Sequence, residues 1–171
     1  GTATILSDPL AVPEDGLQAH YSFSTNAKDS TGNGHDGAVN GPTLVTDRFG
    51  NSSAAYSFDG IDDYIEISND FDDVTLPYSL SVWVFKEASD KGNILLTSDN
   101  PSSSPGPYYG FWLTTNAEGF LATSYGDSGF PSPSSRRSLR STEIMPVDQW
   151  VHLVTTVRGP NDMSLYQNGT K

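Results

Sequence analysis

Cysteine is absent from the 171 residues. That excludes a disulfide framework, a thiolate nucleophile and a thiolate metal site, and it leaves the redox compartment open. Cationic residues are scarce: Lys plus Arg is 9 against 21 Asp plus Glu, a formal charge of −12. Nucleic acids and anionic membrane surfaces need clustered Lys and Arg, so this balance argues against both. No apolar run approaches the roughly 18–20 residues of a membrane-spanning helix. Ala and Leu are sparse, and no stretch sustains a 3.6-residue apolar period, which argues against a helical fold. The opening segment Gly1-Thr2-Ala3-Thr4-Ile5 lacks the charged and apolar regions of a signal peptide. Residues 1–15 read as a linker, with one domain over residues 16–171.

Glycine (16), proline (11), tyrosine (8) and phenylalanine (8) are plentiful, a composition of strands and turns. A chain of about 150 residues buries close to 70% of its unfolded surface, enough for a core without metal or disulfide staples. Period-two alternation predicts a strand at Leu17 to Phe23 and short strands at Ala55 to Phe58 and Tyr64 to Ile67, around the turn Asp59-Gly60-Ile61-Asp62. Ser79 to Phe85 alternates at first, but Val82 to Phe85 is apolar on both faces, which predicts a central strand covered on both sides. Asn93 to Thr97 is another strand. Tyr109 to Thr114 and Gly119 to Tyr125 flank the hairpin turn Thr115-Asn116-Ala117-Glu118, and Trp150 to Val157 and Met163 to Tyr166 flank Gly159-Pro160-Asn161-Asp162. Many short strands separated by turn signals imply an all-β antiparallel sandwich or barrel. Two stretches, Asp99 to Pro107 and Asp127 to Arg140, read as long loops of the kind that carry function or move. Near the end, Asn168-Gly169 is the strongest two-residue hairpin signal. The strand it should feed is not there, which predicts a sandwich lacking its C-terminal strands in this chain, or one completed by a separate polypeptide.

Three segments together resemble one family. They are Gly16 to Phe23 with Ala27 to Gly37; Asp47-Arg48-Phe49-Gly50-Asn51 leading into Ala55 to Ile67; and Gln149-Trp150-Val151-His152-Leu153-Val154 with Leu165 to Gly169. In order and spacing they resemble a laminin-G-like domain of the concanavalin A-like lectin/glucanase superfamily, in its bacterial secreted form. The resemblance implies a jelly-roll sandwich of two antiparallel sheets, a closing acidic strand beyond the Asn-Gly turn, and an extracellular or cell-surface location. It is specific for fold and much less so for ligand.

Asp29-Ser30-Thr31-Gly32-Asn33-Gly34-His35-Asp36-Gly37 gathers two carboxylates, an amide and three glycines. Calcium takes six to eight oxygens at about 2.3–2.6 Å, so Asp29, Asn33 and Asp36 are candidate ligands. The resemblance implies structural calcium in this neighbourhood. The alternative is that Asp29 and Asn33 only cap turns. Asp59, Asp62, Asp63 and Glu66 form a second acidic cluster, read first as turn-shaping carboxylates. The family's glucanases carry Glu-x-Asp-x-x-Glu on one strand, a spacing this sequence lacks. His20, His35 and His152 are scattered, with His152 read as a hydrogen-bonded structural residue, and no Gly-x-Ser-x-Gly elbow occurs. The expectation is therefore a non-catalytic module.

Aromatic residues concentrate between positions 108 and 130, and aromatic faces stack on sugar rings. On the strand from Tyr109, one face carries Tyr109, Phe111 and Leu113 and the other Tyr108, Trp112 and Thr114. One set should be core. Tyr108, Trp112, Tyr125 and Arg136 are the candidate ligand-binding residues; Arg136, Arg137 and Arg140 would either meet an anionic glycan or balance the acidic surface. The sequence thus predicts a calcium-stabilised lectin-like module that binds a polysaccharide or glycan and accompanies other domains of a parent protein. A protein-binding adhesion domain and a structural spacer are the alternatives.

Overall fold

The computed structural model describes residues 15–67, 76–88, 94–97, 108–129, 136–159 and 161–171. Among these every regular element is a strand and every pairing is antiparallel. The chain divides into two compact units, Gly1–Asp70 and Phe71–Lys171.

In the first unit, β1 (Gly37–Asn40) pairs with β4 (Tyr64–Ile67), and β2 (Thr43–Val45) pairs with β3 (Ala55–Ser57). The predicted strands near 55 and 64 both form, yet they join different two-stranded sheets rather than each other. Leu17 to Phe23 alternates as a strand should, but it enters no ladder. Phe23 and Thr25 adopt positive φ (55° and 71°), which turns the chain out of the extended conformation. The segment docks through its rings instead: Tyr21 stacks on Phe23 at 6.0 Å, and Phe23 meets the edge of Tyr56 at 5.4 Å. Gly41 makes the corner between β1 and β2 at φ +94°, where any Cβ would run into the Asp63 carboxylate.

The second unit holds two larger sheets. One has the order β11 (Asp162–Gln167), β10 (Trp150–Gly159), β5 (Tyr78–Phe85). The other runs in chain order: β6 (Ile94–Thr97), β7 (Tyr108–Thr115), β8 (Phe120–Gly129), β9 (Arg136–Ile144). Both predicted hairpins, β7–β8 and β10–β11, form. Alternation along β10 buries Val151, Leu153, Thr155 and Val157 and turns the intervening residues outward. Leu153 and Val151 join Leu113, Leu121, Met145 and Leu165 in the core, with Val82, Val84 and Leu139 packed against it. At its centre the Thr155 hydroxyl donates to the Thr123 hydroxyl at 2.9 Å, a buried bond from β10 to β8 that ties one sheet to the other.

The stretch from Asp127 to Arg140, read as a loop, is largely strand. β8 extends to Gly129 and β9 begins at Arg136. Arg136 to Arg140 has little apolar content, so its pairing partner and not its own pattern makes it a strand. The other predicted loop, Asp99 to Pro107, lies outside the described residues. Asn168-Gly169 forms a two-residue turn: the Gln167 and Thr170 backbones exchange hydrogen bonds of 2.8 and 3.0 Å, and both central residues have positive φ (49° and 80°), the type I′ signature. Asn168 also fastens the turn to β10, accepting from the His152 N–H at 2.9 Å and donating to its carbonyl at 2.8 Å.

Candidate functional site

The loop from Asp29 to Gly37 is organised by one carboxylate. Asp29 Oδ1 accepts from the N–H of His20 and of Thr31, both at 3.0 Å, and from the Thr31 hydroxyl at 2.8 Å. Its Oδ2 accepts from the same hydroxyl at 2.7 Å and from the His35 N–H at 3.4 Å. Partial burial opposes ionisation, but the bonds from Thr31, His20 and His35 outweigh it and hold the carboxyl at about 2, below the ordinary 3.8. Asp36 Oδ1 accepts from the Asp29 N–H at 3.0 Å, and the Asn33 amide donates to the Leu17 and Gln18 carbonyls at 3.3 and 2.9 Å. The Tyr21 hydroxyl closes the loop by donating to the His35 carbonyl at 2.6 Å. Burial, then the carboxylates of Asp29 and Asp36, push that phenol up to about 12.

These bonds bear on calcium. Four protein donors already reach the Asp29 carboxylate, Asp36 Oδ1 is engaged within the loop, and the Asn33 NH2 ties the loop to Gln18. A cation held by Asp29 would compete with the bonds that shape the loop, whereas Asn33 is engaged there through its NH2 and Asp36 through Oδ1. Among the described residues, Asp59, Asp62 and Asp63 bring carboxylate oxygens within 4.8 Å of one another. There too the backbone is the partner: Asp59 Oδ1 accepts from the Ile61 N–H at 2.8 Å, and Asp63 Oδ2 from the Asp59 N–H at 2.8 Å.

In the second unit, the sequence-derived aromatic set occupies neighbouring register positions on opposite faces of one sheet. Tyr125 lies on β8 between Phe111 of β7 and Arg137 of β9. It shares the face of Thr123, which looks toward the three-stranded sheet. On that side Tyr78 packs against Phe111 at 5.9 Å, and its shielded hydroxyl has no partner among the described residues. Burial, with a further contribution from Tyr125, pushes the Tyr78 phenol up. Trp112 sits opposite Ser124 on the other face and is only 9% exposed. Both faces of β7 are therefore covered at Phe111, Trp112 and Leu113, where the pattern predicted one. Tyr108 opens β7 opposite Gly129 and Arg136 opens β9 opposite Gly126; their side chains lie outside the described residues. Arg140 lies over the Phe120 ring at 4.1 Å and 3.5 Å from Glu118, which engages one guanidinium of the basic cluster within the molecule.

In the second unit the exposed aromatic side chains lie on the outward face of the three-stranded sheet. Trp83 is 41% and Phe85 48% exposed, so the second half of β5 is not covered on both sides as its composition suggested. Trp83 stands opposite His152 of β10, and the two rings stack at 4.8 Å with 16° between their planes. Phe85 stands opposite Trp150, edge to face at 5.8 Å. His152 Nε2 shares a 2.9 Å hydrogen bond with the Ser81 hydroxyl, as expected of a structural histidine. The missed signal was the alternation Ser79, Ser81, Trp83, Phe85, whose first two members mark a wet face.

The chain is similar to a known protein family. The family profile described as the concanavalin A-like lectin/glucanases superfamily matches residues 58–171. The chain belongs to this laminin-G-like family. A solved S-layer domain-containing protein from Clostridium thermocellum is 21% identical, with a TM-score of 0.46, over 88% of this chain and 68% of that one. No curated protein matches the sequence.

Proposed function

We propose that this chain is a non-catalytic carbohydrate-binding module of a secreted or cell-surface protein, acting through the outward face of β5 and β10. One observation supports the reading above others: a tryptophan ring 41% exposed on β5, held flat against an imidazole of β10. A planar ring offers large contact area with little conformational entropy to lose, and here stacking on His152 already restricts it. The apolar face of a sugar ring covers such a surface, and hydroxyls around it find partners in side chains like Ser81. Membership of a lectin-containing superfamily agrees with this reading.

The mechanism is binding without bond cleavage. β10 supplies the supports, His152 and Trp150, and β5 supplies the contact rings, Trp83 and Phe85. Ser81 fixes the imidazole by its hydrogen bond, so the platform is built before a ligand arrives. A glycan array probed with the chain and with Trp83→Ala tests this. Binding that disappears in the variant is expected; a blank array for the parent chain at high concentration would refute the reading.

A further inference from the structure

The chemistry of this face narrows its ligand. On β5 the outward residues are Ser79, Ser81, Trp83 and Phe85; on β10 they are Trp150, His152, Val154 and Thr156. None is a carboxylate, lysine or arginine. The next outward residue, Arg158, is engaged by Asp162 in a two-point contact at 2.7 and 3.1 Å. The chain as a whole carries a net charge of −12, a balance that disfavours the approach of uronates, sulfates and other anionic chains. Trp83 and Phe85 lie on one strand two residues apart, hence about 7 Å along β5. Each is backed by its own partner on β10, His152 and Trp150.

We infer that the Trp83–Phe85 strip is a binding site for an uncharged, linear polysaccharide that lies along β5 and stacks one ring on Trp83 and another on Phe85. This rests on the glycan-binding reading above and adds charge, direction and residues to it. A chain held by two rings in line gains from both contacts within one molecule, so loss of either ring weakens it without abolishing contact at the other. Anionic glycans would need a cation beside the two rings, and among the described residues the nearest outward one on these strands, Arg158, is paired with Asp162.

The test is depletion of the 171-residue chain by insoluble cellulose, xylan and mannan, set against immobilised polygalacturonate and heparin, at low and high salt. The probes are used with the parent chain, Trp83→Ala, Phe85→Ala and the ring-retaining Trp83→Phe, each checked for a native thermal transition. Retention on at least one neutral polymer is expected, unchanged by salt because no charge pair is screened. Each alanine variant should bind about tenfold more weakly, the equivalent of ~1.4 kcal/mol per ring, and Trp83→Phe should keep most of the affinity. Retention on the anionic polymers alone, or retention that falls with salt, overturns the uncharged-ligand inference and leaves glycan binding standing. Neutral binding unaltered in both alanine variants overturns the site. No retention on any polymer overturns the glycan reading itself. A concentration-dependent dimer dispersed by Trp83→Ala would assign the face to a second copy and also overturn the proposal.

Discussion

Replacing Asp29 by asparagine removes the charge on which the loop from Asp29 to Gly37 is built, while keeping the side chain's shape. The size of the effect follows from the carboxyl's displacement from 3.8 to about 2. At about 1.36 kcal/mol per pH unit, that gap sets a ceiling of ~2.4 kcal/mol on the preference of the folded loop for the ionised form. Asp29 is only partly buried, and solvent screening reduces the contribution to ~1 kcal/mol. An asparagine keeps one acceptor and turns an NH2 toward N–H groups of His20, Thr31 or His35, so the full amount should be lost. The sign with pH is fixed. The folded value lies below the unfolded one, so the stabilisation is complete above about 4 and is lost as pH falls toward about 2. Urea unfolding of the chain and Asp29→Asn from neutral pH down to about 2 measures this: their difference should be ~1 kcal/mol at neutrality and shrink through that window. Excess calcium or a chelator should move neither transition. A pH-independent difference would refute the capping argument. So would calcium stabilising the parent chain but not the variant, since that would make the carboxylate a metal ligand.

Thr155→Val leaves the Thr123 hydroxyl buried without its partner and should cost ~1–3 kcal/mol, whereas the double variant Thr123→Val/Thr155→Val should restore most of that loss. Additive single-variant losses in denaturant titrations would show that the bond does not couple the sheets. Gly41→Ala should destabilise by more than ~1 kcal/mol, because the residue needs φ +94° and its Cβ would push Asp63 off the Asp59 N–H; an unchanged thermal midpoint contradicts this. Arg158→Ala should leave the unfolding midpoint close to that of the parent chain, since the Arg158–Asp162 pair is solvent-exposed. A larger shift on chemical unfolding would mean that the guanidinium braces β11 through Ser164 as well.

The sequence alone determined the all-β class, the two hairpins of the second unit and the turn at Asn168-Gly169. These are local properties: period-two alternation needs only neighbouring residues, and a type I′ turn needs only two that tolerate positive φ. It also contained both readings of the loop from Asp29 to Gly37. A carboxylate among glycines serves a cation or backbone donors equally well, and only the folded path of the chain brings His20 and His35 to Asp29. Tertiary structure likewise decided which aromatic residues are reachable. Trp112 and Trp83 both sit in strands rich in aromatic and apolar residues, yet one is shielded and the other lies open. Strand pairing decided the rest. Residues 136–140 carry three arginines and become a strand because β8 offers them a ladder, while the well-alternating Leu17 to Phe23 finds none. Alternation says that a strand has two faces; which face meets water depends on what packs against it, and that information is spread over the whole chain.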